Sequence, residues 1–390
     1  MNDNNELVEK IILKSKNKIA VSEFLEEDTT MKKVNKIPKM VATIIVTIGI
    51  MSGLVYATAN IYDKIWKEPQ KYNWKQGVTE EEKKKCISEE DAEKIGNEYL
   101  KKIGFDDQYI TKLNLQKQFR EENSNDNIWC LDSEKVSMEI DAITGKIKFV
   151  YISSTEYEKP NNYGITRQEA RITARELLEK YRPEDMEGEY ELVSLKRNSE
   201  NDKSAYIWYA DFYRKYGDLL NENEHINIGW VPTVNGLYSL DIKNDKYEGN
   251  EEKITKEEAI QIATQKDLLI EKDRKIVNTK AEIKIKQMNQ EVFLRENFTE
   301  EYEKGTLYLY YEKTGENLYT LKEDAVFYET EGRVRKVWVV VVEYENESKG
   351  IPSYSYYIDS TTGEIIGGNI GDQILREYSI KNDPYNLIEK

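Results

Sequence analysis

Twenty consecutive residues without a charge, MVATIIVTIGIMSGLVYATA from Met40 to Ala59, set the first constraint on this chain. An α-helix of that length covers the hydrocarbon thickness of a bilayer. A helix meant for a soluble core ordinarily keeps a polar side, and this stretch has none. It therefore reads as a single transmembrane helix over residues 40–61. Lys32, Lys33, Lys36 and Lys39 precede it and Lys64, Lys67, Lys71 and Lys75 follow it, so the positive-inside count is a tie. Orientation follows instead from the layout, a short segment 1–39, one span and a long C-terminal region. That is the arrangement of a signal anchor in the cell membrane, with a cytoplasmic N-terminus and an extracytoplasmic C-terminal region. Ala57 and Ala59 offer a small-x-small cleavage pattern, but a leader this long is unusual, and an uncleaved anchor is expected.

Composition bounds the rest. With 390 residues, 39% of them hydrophobic and 11% aromatic, the chain can fill more than one core. Its 28 tyrosines against 7 prolines suit sheets with polar outer faces. The net charge of −16 falls almost wholly beyond residue 70, which disfavours nucleic acid as a partner, since phosphates demand clustered Lys and Arg. One histidine, His225, and two cysteines, Cys86 and Cys130, exclude the usual zinc sites. A Cys/His nucleophile pair would have to use His225.

Residues 1–39 form an N-terminal segment in which Leu7, Ile11, Ile12 and Ile19 stand near helical spacing beside lysines, an amphipathic helix in outline. Residues 62–86 are polar and charged in blocks and read as a stalk. Beyond them the chain repeats itself. ISEEDA at Ile87, ITRQEA at Ile165 and ITKEEA at Ile254 each place Ser or Thr three residues before an acid, the spacing of a capping box. Each opening is followed by a helical pattern and then by strand-like text rich in β-branched and aromatic residues. A tryptophan marks one strand in every unit: Trp129, Trp208 and Trp338. These are expected to pack on the unit's own helix rather than stack a ligand.

The first and third units close on the same phrase, SMEIDAITGKIKFV from Ser137 and YSYYIDSTTGEIIGG from Tyr354. Asp141 to Gly145 and Asp359 to Gly363 read as hairpin loops, in which Asp accepts from nearby amides and Gly supplies a left-handed backbone. The middle unit has LDIKNDKYEG, with Asp245 where the glycine stood. The expected fold class is α+β: three repeated units of one helix packed on an antiparallel β-sheet, over residues 87–160, 161–250 and 251–370, preceded by the transmembrane helix. Residues 371–390 are left as a C-terminal tail.

A helix opened by Ile-Thr-x-x-Glu-Ala, strands with a Trp, and a hairpin reading Tyr-x-Ile-Asp-x-x-Thr-Gly-Glu-Ile together resemble the PepSY domain. The match is fullest from Ile254 to Gly368, present at both ends of the first unit, and weak in the middle one. The third unit departs by an insertion from about Lys280 to Arg335. The resemblance implies a small α+β unit, an antiparallel sheet backed by a helix. Such units occur in propeptides of thermolysin-type proteases and in a membrane-anchored spore germination protein that holds a cell-wall lytic enzyme in check. It thus implies a non-catalytic module that binds or restrains a secreted or envelope protein, and brings no catalytic residues with it.

The chemistry agrees with that implication. Glu257 and Glu258 sit in a helix's first turn, where carboxylates meet the positive end of the dipole. No GxSxG, HExxH, P-loop or EF-hand pattern occurs. No catalytic, cofactor-binding or metal residue is assigned, and no cofactor. Cys86 and Cys130 would pair only if a strand end lies beside the first helix's start, which spacing leaves open. The favoured function is regulatory: inhibiting or chaperoning an envelope protease or cell-wall hydrolase, with an exposed sheet edge or inter-unit groove capturing an extended segment. The alternative is a single-span signalling protein, anti-sigma-like, with an extracytoplasmic sensor and a cytoplasmic regulator held at residues 1–39.

Overall fold

A computed structural model describes residues 77–117, 126–153, 165–197, 207–232, 236–270, 274–297, 332–345 and 352–370, and the backbone of four short strands. All of these belong to one compact unit, Asp63–Lys390. The expectations for residues 1–39, 40–61 and 371–390 lie outside the described residues. Among the described residues no helix is long and apolar enough to cross a membrane.

Strand β1 (Gln70–Tyr72) leads to the single turn α1 (Glu80–Lys83) and to α2 (Glu89–Lys102). Ser88 caps α2 by accepting from the Asp91 amide at 3.1 Å. Four strands follow: β2 (Lys112–Lys117), β3 (Asn127–Asp132), β4 (Val136–Asp141) and β5 (Ile147–Ile152). Helix α3 (Arg167–Tyr181) opens on a full capping box between Thr166 and Glu169. It precedes β6 (Tyr190–Arg197), β7 (Trp208–Tyr216), β8 (Leu219–Val231) and β9 (Gly236–Asn244). In the last region Thr255 and Glu258 exchange hydrogen bonds at the head of α4 (Lys256–Ile270). Strand β10 (Ile276–Gln287) and helix α5 (Glu291–Asn297) come next, then the short β11 (Tyr311–Lys313), β12 (Tyr319–Leu321) and β13 (Phe327–Glu329). The region ends with β14 (Val334–Tyr344), β15 (Ser353–Asp359) and β16 (Ile365–Ile370).

These strands do not make three repeated helix-on-sheet units. They form an eight-stranded antiparallel sheet in the order β2-β3-β4-β5-β9-β8-β7-β6 and a four-stranded sheet in the order β10-β14-β15-β16, with two small ribbons besides. The division expected near residue 160 does not separate two sheets, because β5 pairs antiparallel with β9, Val150 opposite Leu240. A bare edge leaves a row of backbone donors and acceptors unpaired, and here two such edges satisfy one another. An apolar row then runs unbroken across the large sheet: Leu113, Leu131, Met138, Val150, Leu240, Ile228, Ala210 and Leu195. It joins Ala92 and Leu100 of α2 and Ala170, Ala174, Leu177 and Leu178 of α3 in one core.

Local contacts explain why the quoted turn is built twice. Asp141 Oδ1 accepts from the amides of Ile143 and Thr144, and Asp359 Oδ1 from those of Thr361 and Thr362. Gly145 and Gly363 take φ of +70° and +75°, and their bare α-carbons receive the tips of Ile95 and of Ile254 and Ile262. Trp129 Nε1 donates to the Ile87 carbonyl at 3.3 Å and Trp338 Nε1 to that of Ile254 at 2.7 Å, tying each turn to its helix start. The middle region has neither device. Its Asp241 lies inside β9 rather than in a hairpin, and Trp208 stacks on Trp230 with ring centres 6.2 Å apart while its Nε1 makes no hydrogen bond.

Candidate functional site

The face of the large sheet turned away from α2 and α3 follows from strand alternation. One row across it reads Asn114, Cys130, Glu139, Phe149, Asp241, Asn227, Asp211 and Ser194. Carboxylates dominate its centre. Asn227 donates to Asp211, whereas Oδ1 of Asp241 is buried without a hydrogen bond. The neighbouring row sets Tyr151, Ser239, Gly229 and Tyr209 side by side. Tyr238 lies between the two tyrosines, edge to face, with ring centres 5.3 Å from Tyr151 and 6.2 Å from Tyr209. Gly229 leaves room for them: an added Cβ would come within 2.4 Å of Ser239 Oγ and 3.0 Å of the Tyr209 ring. This face thus carries Glu139, Asp241 and Asp211 along one row and three tyrosines beside it.

His225 is a strand residue of β8, its Nδ1 2.7 Å from the Glu222 carbonyl and its ring tilted beside Tyr213. Glu258 caps its own helix, and the Thr255 amide holds its carboxyl below the usual range. Both cysteines are free. Cys130 lies on the acidic face, accepting from Gln116, while Cys86 packs beside the helix-side core and donates to the Glu82 carbonyl.

Burial pushes the Cys130 thiol up to about 11, helped by the carboxylates of Glu139 and Asp132. Only the thiolate reacts readily, so in the native protein at pH 8 Cys130 should alkylate with iodoacetamide roughly a hundredfold more slowly than in urea. The rate should keep rising with pH until the thiol titrates near 11. Mass spectrometry of the alkylated peptide reads this directly, and reaction at the unfolded rate at pH 8 would refute it.

A second cluster of ionisable groups lies in the small sheet, beneath α4 and α5. Arg295 and Asp267 are both fully buried and 2.9 Å apart. Tyr356 OH accepts from Arg295 Nη1 at 2.6 Å and donates to Asp267 Oδ1 at 2.8 Å. Tyr344 bridges the same two side chains from the other guanidinium nitrogen. The guanidinium lies 4.1 Å from the centre of the Tyr354 ring. Burial raises both bridging phenols above the ordinary tyrosine range. The guanidinium, one carboxylate oxygen and the two phenols bond to one another across α4, α5 and the small sheet, so the cluster ties those elements together. Sequence reading missed it, although Asp267 stands four residues after Ala263 and eight after Ala259, on the stripe that α4 buries. Among the described residues no group of His, Cys, Asp and Glu is placed to hold a metal ion.

No family model matches the chain, and no curated protein matches it. Among solved structures it is similar to the Bacillus megaterium YpeB C-terminal domain, at 12% identity over 74% of this chain and 99% of that one. The TM-score of 0.31 is too low for that likeness to carry an argument about fold or activity.

Proposed function

We propose that the chain is a membrane-anchored, extracytoplasmic and non-catalytic binding protein that restrains or chaperones an envelope protease or cell-wall hydrolase. The observation that carries this reading is the large sheet itself. It packs helices on one face, presents acids and tyrosines on the other, and stays open at both ends instead of closing into a barrel. Surfaces of this kind capture other chains through main-chain pairing and side-chain complementarity. Glu169, Glu258, Asp267 and Arg295 are engaged in caps and an ion pair, which is in keeping with a structural use of these charges. The PepSY resemblance of residues 254–368 points the same way. The signalling alternative rests on residues 1–39, outside the described residues.

The test is a titration. Full-length chain added to an envelope extract from cells that lack it should lower proteolytic or wall-lytic activity in a saturable manner. An extract from cells that make it should start lower. Unchanged activity in both extracts, with the added chain folded, overturns the proposal.

A further inference from the structure

We infer that β2 is the docking edge for an extended segment of a partner protein, apolar on its helix-side positions and acidic at its flank. The inference rests on the reading of the chain as a binding protein and deepens it by naming the place and the chemistry. The two large sheets have four edges, β2 and β6 in one and β10 and β16 in the other. Three of them are blunted by devices that prevent edge pairing. On β6 the register slips between Leu192 and Ser194, and Lys196 and Arg197 close the strand. On β10 the register slips between Ile276 and Asn278, lysines recur along the strand, and Lys286 is tied to Glu222 at the start of β8 by a 2.6 Å ion pair. On β16 Asn289 occupies the edge: its amide donates to the Ile366 carbonyl, its Nδ2 donates to the Gly368 carbonyl, and its Oδ1 accepts from the Gly368 amide.

Strand β2 also carries a lysine at each end, but Lys117 is drawn to Glu82 of α1 at 3.0 Å and no bulge interrupts the strand. Its six residues pair with β3 without a slip, from Lys112 opposite Asp132 to Lys117 opposite Asn127. Its side chains alternate between exposed and half-buried, and among the described residues no strand pairs with its outer side. Leu113 and Leu115 face the helix-side core but are only partly covered. An added strand would bury them by continuing the apolar row that ends at Leu113. Lys112 is exposed and makes no ion pair among the described residues, so an acid on the incoming strand would meet it across the new pair.

The probe is a short acetylated, fluorescein-labelled peptide of alternating Val and Thr with an Asp at each end, followed by anisotropy against the full-length chain. Saturable binding is expected. N-methylation of one set of alternate residues should weaken it roughly tenfold or more, and N-methylation of the other set should leave it unchanged, because only one set of amides faces β2. Leu113→Glu with Leu115→Glu, in a protein that melts like its parent, should also abolish binding. No binding, an equal response to both N-methylated sets, or survival in the double variant each overturns the proposal. A concentration-dependent dimer that competes with the peptide assigns the edge to a second copy and overturns it as well. The same double variant separates the two readings. If it still restrains the extract's activity, the β2 assignment falls and the binding reading stands; if the parent restrains nothing, the binding reading has failed by itself.

Discussion

Replacing Arg295 with methionine should destabilise the folded protein by about 3–5 kcal/mol, because it leaves the Asp267 carboxylate buried without its cation. The side chain of Asp267 is 1% exposed, so water cannot replace the guanidinium. One of its oxygens, Oδ2, already lacks a hydrogen bond, and the substitution would leave Oδ1 with only the two phenols. Arg295→Met combined with Asp267→Leu should recover most of the loss, since well-packed apolar groups often replace a buried ion pair at little cost. Urea denaturation of the single and double variants measures both. A double variant as unstable as the single one would show that packing around α4 and α5, and not charge, sets the cost.

The same cluster predicts an alkaline limit. Tyr344 and Tyr356 titrate higher in the folded protein than in the unfolded chain. A raised folded value means the stabilisation is fully present below the ordinary phenol range near 10 and is lost as pH rises above it. Stability should therefore fall steeply in alkali, and less steeply in the Arg295→Met, Asp267→Leu protein with Tyr344→Phe and Tyr356→Phe added. Denaturation midpoints across that pH range decide it.

The second large effect is expected at Gly368, where alanine should cost about 3 kcal/mol or more. Alanine in place of glycine inside a strand ordinarily stabilises, since glycine loses more backbone freedom on folding. Here the added Cβ would stand 2.3 Å from Tyr354 OH, 2.7 Å from its ring and 2.7 Å from the Ser355 carbonyl oxygen. The last is backbone, held in the β14–β15–β16 ladder, and cannot yield without parting β15 from β16. Tyr354 cannot rotate away either, because it is fully buried with Arg295 over its ring. A Gly368→Ala protein as stable as the parent would mean that this contact is looser than the packing indicates.

What the sequence showed and what it hid divide along a physical line. The caps at Ser88, Thr166 and Thr255 were legible because a capping box is written within four residues. So were the loops at Asp141 and Asp359, where one carboxylate organises the amides that follow it. The β5–β9 pairing was not legible, since alternation says which side chains share a face and nothing about which edge a strand will meet. The stretch LDIKNDKYEG, with Asp245 where a glycine stood, reads as a worn turn by its match to the other two units, yet its first Asp, Asp241, lies within β9, where a carboxylate on the outer face is as acceptable as in a loop. Asp267 and Arg295 were hidden for the opposite reason. Charged residues are normally read as solvent-facing, and only the partner's position converts them into interior ones. The open β2 edge could be expected in kind but not placed, because identifying it requires knowing what blunts the other three.

The seam between β5 and β9 also sets a timetable. As the polypeptide leaves the ribosome, β2 to β5 can assemble as soon as they emerge, but the strand that completes them comes only after α3 and β6 to β8 have been made. During that interval β5 offers its unpaired amides and carbonyls to whatever passes. Delays in translation between residues 152 and 236 therefore fall on the newborn molecule at its most adhesive moment.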